Sequence, residues 1–175
     1  MLRAVLLSLL AGAAMPAQAA DLATLGCVTD KLELPVRAQI VLDVERNLAE
    51  SGKKHSYAPR VLAAVRTAAT ACAAEHGWPE PALRPAMLYT LATLGWPTAQ
   101  KVAAERGLDT AALEEAWNAL PEETRNRPLT SEANQQLAEA SGGGDDQSPE
   151  KAELVGEFFG YLNLMQFTSY DFSQA

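Results

Sequence analysis

Apolar residues recur at four-residue spacing near the start of the chain, and this pattern predicts a helical hairpin. The first helix is expected to open at Pro35 and end at Gly52, and its apolar stripe is Val36, Ile40, Val44 and Leu48. The second is expected to run from Pro59 to Gly77, with a stripe of Val61, Leu62, Val65, Ala69 and Cys72. A short turn makes the two helices antiparallel, so Cys27 and Cys72 come within reach of each other.

Two matching connectors follow, Gly77-Trp78-Pro79 and Gly95-Trp96-Pro97. Glycine can end a helix in the left-handed conformation and proline can begin the next one. A third helix is therefore predicted from Pro85 to Gly95. Trp78 and Trp96 are expected to pack at the helix corners, and the alternative is that they stack on a sugar or a base.

The stretch from Thr98 to Asn118 resembles the helix-turn-helix of bacterial DNA-binding repressors. The resemblance rests on small and apolar positions, namely Val102, Ala103, Gly107, Leu108, Leu113 and Ala116. The second helix of this motif would present Glu114 and Glu115 where phosphate binding needs basic residues. We therefore expect a tri-helical corner and no nucleic-acid binding.

The C-terminal segment has the most aromatic helix of the chain. After a further helix over Ser131–Ala140, residues 142–148 read as a flexible linker rich in glycine and aspartate. A last helix is predicted to begin at Pro149 and to run to about Phe167. Its apolar face, with the two tryptophans, is the predicted partner- or ligand-binding set: Val155, Phe158, Phe159, Leu162, Met165, Trp78 and Trp96. The helix is expected to dock on the chain, with display to a partner as the alternative.

The N-terminus has the three parts of a secretory signal peptide. Arg3 is followed by an apolar run of about a dozen residues and by the small-residue cleavage site Ala17-Gln18-Ala19. Residues 1–19 are therefore predicted to be removed, and the mature protein to be periplasmic or secreted. In an oxidising compartment we expect a Cys27–Cys72 disulfide, with two reduced, buried cysteines as the alternative.

Composition favours an all-α fold. Hydrophobic residues make up 48% of the chain but aromatic residues only 6%, since alanine supplies much of the apolar content. We predict an irregular bundle of five to seven helices built on the disulfide-stapled hairpin. Residues 20–141 would form its domain and residues 149–175 would pack on it as C-terminal helix and tail. No segment after the signal peptide is apolar over the roughly 20 residues that a stable membrane span needs.

Charge and reactive groups favour a binding role. A formal net charge of −8 disfavours nucleic acid and points to a basic partner. No spacing of Cys or His fits a metal site, no cofactor motif is present, and the chain has two histidines, His55 and His76. We expect a non-catalytic interaction protein of the inhibitor or immunity type. The alternatives are an apolar-ligand carrier with the last helix as lid, and a small hydrolase using Glu75 and His76.

Overall fold

A computed structural model describes residues 19–50, 52–140 and 148–175. The predicted signal peptide, except Ala19, and the predicted linker, except Ser148, lie outside these residues. Eight α-helices occur in the described part: α1 Cys27–Lys31, α2 Leu34–Ala49, α3 Pro59–His76, α4 Leu83–Glu105, α5 Thr110–Asn118, α6 Glu122–Arg125, α7 Ser131–Ala140 and α8 Pro149–Gln174. Short 3-10 turns lie at Leu22–Thr24 and Glu80–Ala82. The all-α prediction is confirmed.

The predicted disulfide is present. Cys27 at the start of α1 is bonded to Cys72 near the end of α3, with their Cα atoms 6.0 Å apart. Cys72 is fully buried, as are Val61, Val65 and Ala69, which share its predicted stripe. The disulfide therefore fixes the short first helix to the inner face of the hairpin.

The prediction that a helix ends at Gly95 is wrong. Helix α4 continues through Gly95, Trp96 and Pro97 to Glu105 as one element of 23 residues. The two Gly-Trp-Pro connectors differ in their backbones: Gly77 ends α3 with a φ of +69°, whereas Gly95 is helical. The reason is tertiary, because Gly95 is buried where α2 and α8 cross α4.

Gly95 allows this close crossing because it has no side chain. A Cβ there would lie 2.9 Å from Val44 Cγ2 and 2.9 Å from the Tyr161 ring, closer than van der Waals contact allows. Both neighbours are buried. The glycine in α4 thus sets the distance between three helices.

Replacing Gly95 by alanine should destabilise the protein by about 1–2 kcal/mol, because overpacking outweighs the gain in helix propensity. Chemical denaturation would measure the change. Gly160→Ala is a matched control, since Gly160 is also helical but a Cβ there meets nothing within 4 Å. That variant should gain up to about 1 kcal/mol of stability. Equal effects of the two substitutions would contradict the packing role of Gly95.

Helix α8 lies against α4 and extends further than the sequence predicts. It begins as expected, with the Ser148 side chain accepting a hydrogen bond from the Lys151 amide, but it ends at Gln174 and not near Phe167. Hydroxyl groups in the last turns donate to carbonyls of the same helix, and Phe172 is fully buried. Its edge meets Trp78 at 4.8 Å between ring centroids. This contact anchors the final turns.

The corner between α4 and α5 has the predicted helix-turn-helix form. Gly107 has a φ of +76°, and the Asp109 side chain caps α5 by accepting a hydrogen bond from the Ala112 amide. Ala103 is fully buried. The corner directs α5 towards the C-terminal half of α8.

Across the described ranges, no helix is long and apolar enough to span a membrane.

Candidate functional site: an open cleft beside α8

An open cleft of about 310 Å³ lies where α4, α5 and the α6 segment, defined as residues 122–129, meet α8. We call it the Arg125 cleft, after its one cationic residue. It is lined by Tyr89, Trp117, Asn118, Arg125, Leu162, Met165, Gln166 and Ser169. Its volume is at the lower end of the range for small-ligand sites.

Two side chains of α8 hold the α6 segment in place. Asn163 is buried; its amide nitrogen donates to the Arg127 carbonyl at 2.7 Å and the Arg125 carbonyl at 3.3 Å, and its oxygen accepts from the Leu129 amide at 3.0 Å. One turn further, Gln166 donates to Asn126 Oδ1 at 2.7 Å. These bonds satisfy polar groups of a segment that has only one helical turn. They also fix the backbone that carries Arg125.

The guanidinium of Arg125 is partly exposed and has one buried nitrogen. Its Nε is shielded from solvent and makes no hydrogen bond within the described chain. The two nearest glutamates of α6 are engaged elsewhere: Glu123 pairs with Arg127 at 2.8 Å, and Glu122 accepts from Asn126. A buried donor without a partner is destabilising, typically by about 1–3 kcal/mol. The cleft therefore contains a cationic side chain that neither of the α6 glutamates neutralises.

The walls of the cleft are apolar and aromatic. Trp117 is 3% exposed, so its ring is held rigidly between the helices. Leu162 and Met165, three apart on α8, are half-buried and face the same cleft. A flat apolar group could lie on these side chains with a charged or polar end at Arg125.

The structure separates the predicted binding residues into two groups. Val155, Phe158 and Phe159 are buried in the core, whereas Leu162 and Met165 line the Arg125 cleft. The docked arrangement of α8 is thus the one observed.

The two tryptophans pack against different ends of α8. Trp96 contacts the Phe158 ring at 4.8 Å, and Trp78 contacts Phe172 and donates to Thr24 Oγ1 at 2.7 Å. Fourteen residues separate the two phenylalanines, about 21 Å along a helix. The tryptophans are therefore too far apart to stack on one sugar or base.

Sequence reasoning missed Arg125, Trp117 and Asn163 as site residues. Arg125 lies in a short polar turn with no motif, and most of its neighbours in the cleft come from α4 and α8, which are distant in the chain. Asn163 did leave a signal, because it interrupts the apolar face of α8. A polar residue on a buried face needs partners, and here the partners define the site.

The pair proposed for a hydrolase, Glu75 and His76, lies on the surface near the disulfide. Glu75 Oε2 is 2.7 Å from Lys31 Nζ, which lowers the pKa of this exposed carboxyl. His76 Nε2 is 3.8 Å from Glu75 Oε1, and its ring stacks on Trp78. Ligand atoms of Cys27, Glu75 and His76 lie within 4.8 Å of one another, but the Cys27 sulfur is bonded to Cys72 and is not a thiolate.

The other histidine joins the loop after α2 to helix α8. His55 Nε2 lies 3.1 Å from Glu157 Oε2, and the Gly52 amide donates to Glu153 at 2.6 Å. The hydrogen bond to Glu157 raises the pKa of His55, burial opposes this rise, and the charges of Glu157 and Glu153 add to it. The folded state therefore favours protonated His55.

The contribution of His55 to stability should depend on pH. Since its folded-state pKa is above the usual 6.5, the stabilisation is fully present below pH 6.5 and is lost as pH rises through the folded-state pKa. Denaturation of wild type and His55→Gln across pH 5–9 would show a difference largest at low pH. Glu157→Gln should remove most of the pH dependence of this stability difference. A destabilisation by His55→Gln that is the same at every pH would contradict the prediction.

Comparison of the chain with known protein families, characterised proteins and solved structures returned no match. The fold and the site define the class of protein: an all-α bundle with one disulfide and an open cleft of mixed apolar and cationic character.

Proposed function

We propose that this is an exported, non-catalytic binding protein whose ligand occupies the Arg125 cleft. The observation that carries the proposal is Arg125, whose buried Nε makes no hydrogen bond within the described chain and which lines the cleft together with the apolar side chains of Leu162 and Met165. A buried donor without a partner stabilises nothing in the folded chain, whereas a cation at the surface of a cleft can bind a ligand. Asn163 and Gln166, which fix the α6 segment, give the cleft the preorganisation that binding favours.

Export is supported by two independent features. The N-terminal residues 1–19 have the pattern of a secretory signal peptide. The Cys27–Cys72 disulfide is of the kind that persists in oxidising compartments. Together these features support a location of the mature protein in the periplasm or outside the cell.

The cleft also changes the carrier hypothesis. A lid must open, but α8 contributes Phe158, Phe159 and Phe172, three of the largest fully buried side chains. Lifting α8 would expose the core of the bundle. A ligand would instead enter beside α8, through the open side of the cleft.

The binding role can be tested by nuclear magnetic resonance with fragments of positive, negative and zero charge. Fragments that bind the cleft should shift the Trp117 indole signal and leave those of Trp78 and Trp96 unchanged. Asn118→Trp, at the exposed rim, should block this binding, whereas the control Ala111→Trp, exposed on the same helix outside the cleft, should not. If no fragment of any charge perturbs the cleft, the proposed function fails.

A basic protein partner is the second candidate, favoured by the charge distribution. Glu150, Glu153 and Glu157 follow one side of α8 and, with Glu50 and a single cation, Arg106, line a depression of about 120 Å³. With a net charge of −8, such a surface would steer cationic partners. Binding of a basic partner would weaken steeply with salt and would survive the Asn118→Trp change.

A further inference from the structure

The Arg125 cleft is the one depression described here that combines a cation with no acidic lining residue. Four other open depressions on the described surface each include at least one glutamate. The chain has 22 acidic residues and only 14 lysines and arginines. A cleft lined by a cation and no carboxylate is therefore unusual for a chain of this composition. The local charge of this cleft is therefore opposite to that of the whole protein.

We infer that the ligand of the Arg125 cleft is a monoanionic carboxylate attached to a flat apolar or aromatic body. This inference rests on the proposed function and specifies the ligand class. A planar guanidinium matches a carboxylate through two parallel N–H···O bonds. One cation suits one negative charge, whereas a phosphate dianion is usually held by more than one cationic or N–H donor group.

The remaining lining residues fit the two ends of such a ligand. Asn118 offers a side-chain amide at the rim of the cleft, whereas the Gln166 amide and the Ser169 hydroxyl already donate to Asn126 Oδ1 and to the Gln166 carbonyl. Tyr89, Leu162 and Met165 are partly exposed and provide the surface for the body, and Trp117 lines the cleft as a buried ring. A sulfur atom and aromatic rings favour contact with a flat ring over a branched aliphatic group.

The carboxylate could belong to a small organic acid or to the C-terminus of a peptide that ends in an aromatic residue. Both sources present the same chemistry to Arg125. Only the peptide has further residues, which would extend from the cleft over the protein surface. Comparison of 3-phenylpropanoate with a pentapeptide ending in phenylalanine distinguishes them, because the tighter ligand identifies the source.

The test compares matched probes on the wild-type protein by titration of chemical shifts. 3-Phenylpropanoate should bind at least about tenfold more tightly than 3-phenylpropanamide and 3-phenylpropylamine. The free-acid peptide should bind better than its C-terminal amide. Equal binding of acid and amide, or preference for the amine, would overturn the inference while leaving a binding function intact. Absence of binding by every probe and by every fragment would contradict both the inferred ligand class and the proposed binding function.

A pair of arginine variants tests the residue assignment. Arg125→Gln should weaken 3-phenylpropanoate binding at least about tenfold and bring acid and amide to similar affinities. Arg127→Gln is the matched control: it removes the same charge two residues away, where the side chain is paired with Glu123 and lies outside the cleft. Its affinity should stay within about twofold of wild type. Equal losses in the two variants would show a general charge effect and contradict a role of Arg125 as receptor. The wild-type probe series does not depend on either variant folding.

Discussion

Replacement of Phe159 by alanine is expected to lower the free energy of unfolding by about 3–5 kcal/mol. Phe159 is 0% exposed and meets Phe158 in an edge-to-face contact, with ring centroids 6.4 Å apart. The substitution leaves a cavity that close-packed neighbours cannot fill. In a domain with a typical stability of 5–15 kcal/mol this is a large fraction, and the melting temperature should fall by roughly 10 °C.

Tyr170→Ala is the control for this experiment, because Tyr170 is an aromatic residue of the same helix but is 41% exposed. Its loss should change stability by less than about 1 kcal/mol. If α8 were displayed and not packed on the bundle, the Phe159 variant would keep normal stability like the Tyr170 variant. Denaturant titration therefore decides whether α8 is part of the core in solution.

Removal of the Cys27–Cys72 disulfide is expected to cost roughly 4 kcal/mol. The two cysteines are 45 residues apart, and a loop of this length loses considerable entropy when it is closed in the unfolded chain. Thermal unfolding of protein expressed in an oxidising compartment, with and without reductant, would measure the effect. The expected fall in melting temperature is about 10 °C.

The double variant Cys27→Ala/Cys72→Ala should match the reduced wild type, since both lack the same cross-link. Cys72 is fully buried, so reductant must be added to unfolded protein and removed only after refolding. Identical melting curves for oxidised and reduced protein would refute a stabilising role for this bond.

Local patterns in the sequence were sufficient for several elements. The four-residue stripes and the glycine after α3 define the hairpin, and the Ser148-Pro149 start defines the beginning of α8. The Gly107 turn and the Asp109 cap define the corner before α5. Each of these depends on residues within one or two turns, and such interactions can be recognised without tertiary information.

The length of α4 could not be predicted in this way. Gly95-Trp96-Pro97 has the same residue types as Gly77-Trp78-Pro79, yet one lies within a helix and the other ends one. The difference comes from Val44 and Tyr161, which pack against Gly95 from other helices. Similarly, α8 continues past Phe167 because Phe172 meets Trp78, a contact across nearly 100 residues.

By itself the sequence determined the all-α class, the hairpin, the pairing of Cys27 with Cys72 and the aromatic character of the last helix. Those features follow from periodicity, caps and composition, which are local or additive properties of the chain. Only the tertiary structure decided that α8 docks, and that Leu162 and Met165, unlike Phe158, face an open cleft with Arg125. A cleft forms where distant helices fail to fill space, and an unpaired charge is defined by what the fold leaves beside it.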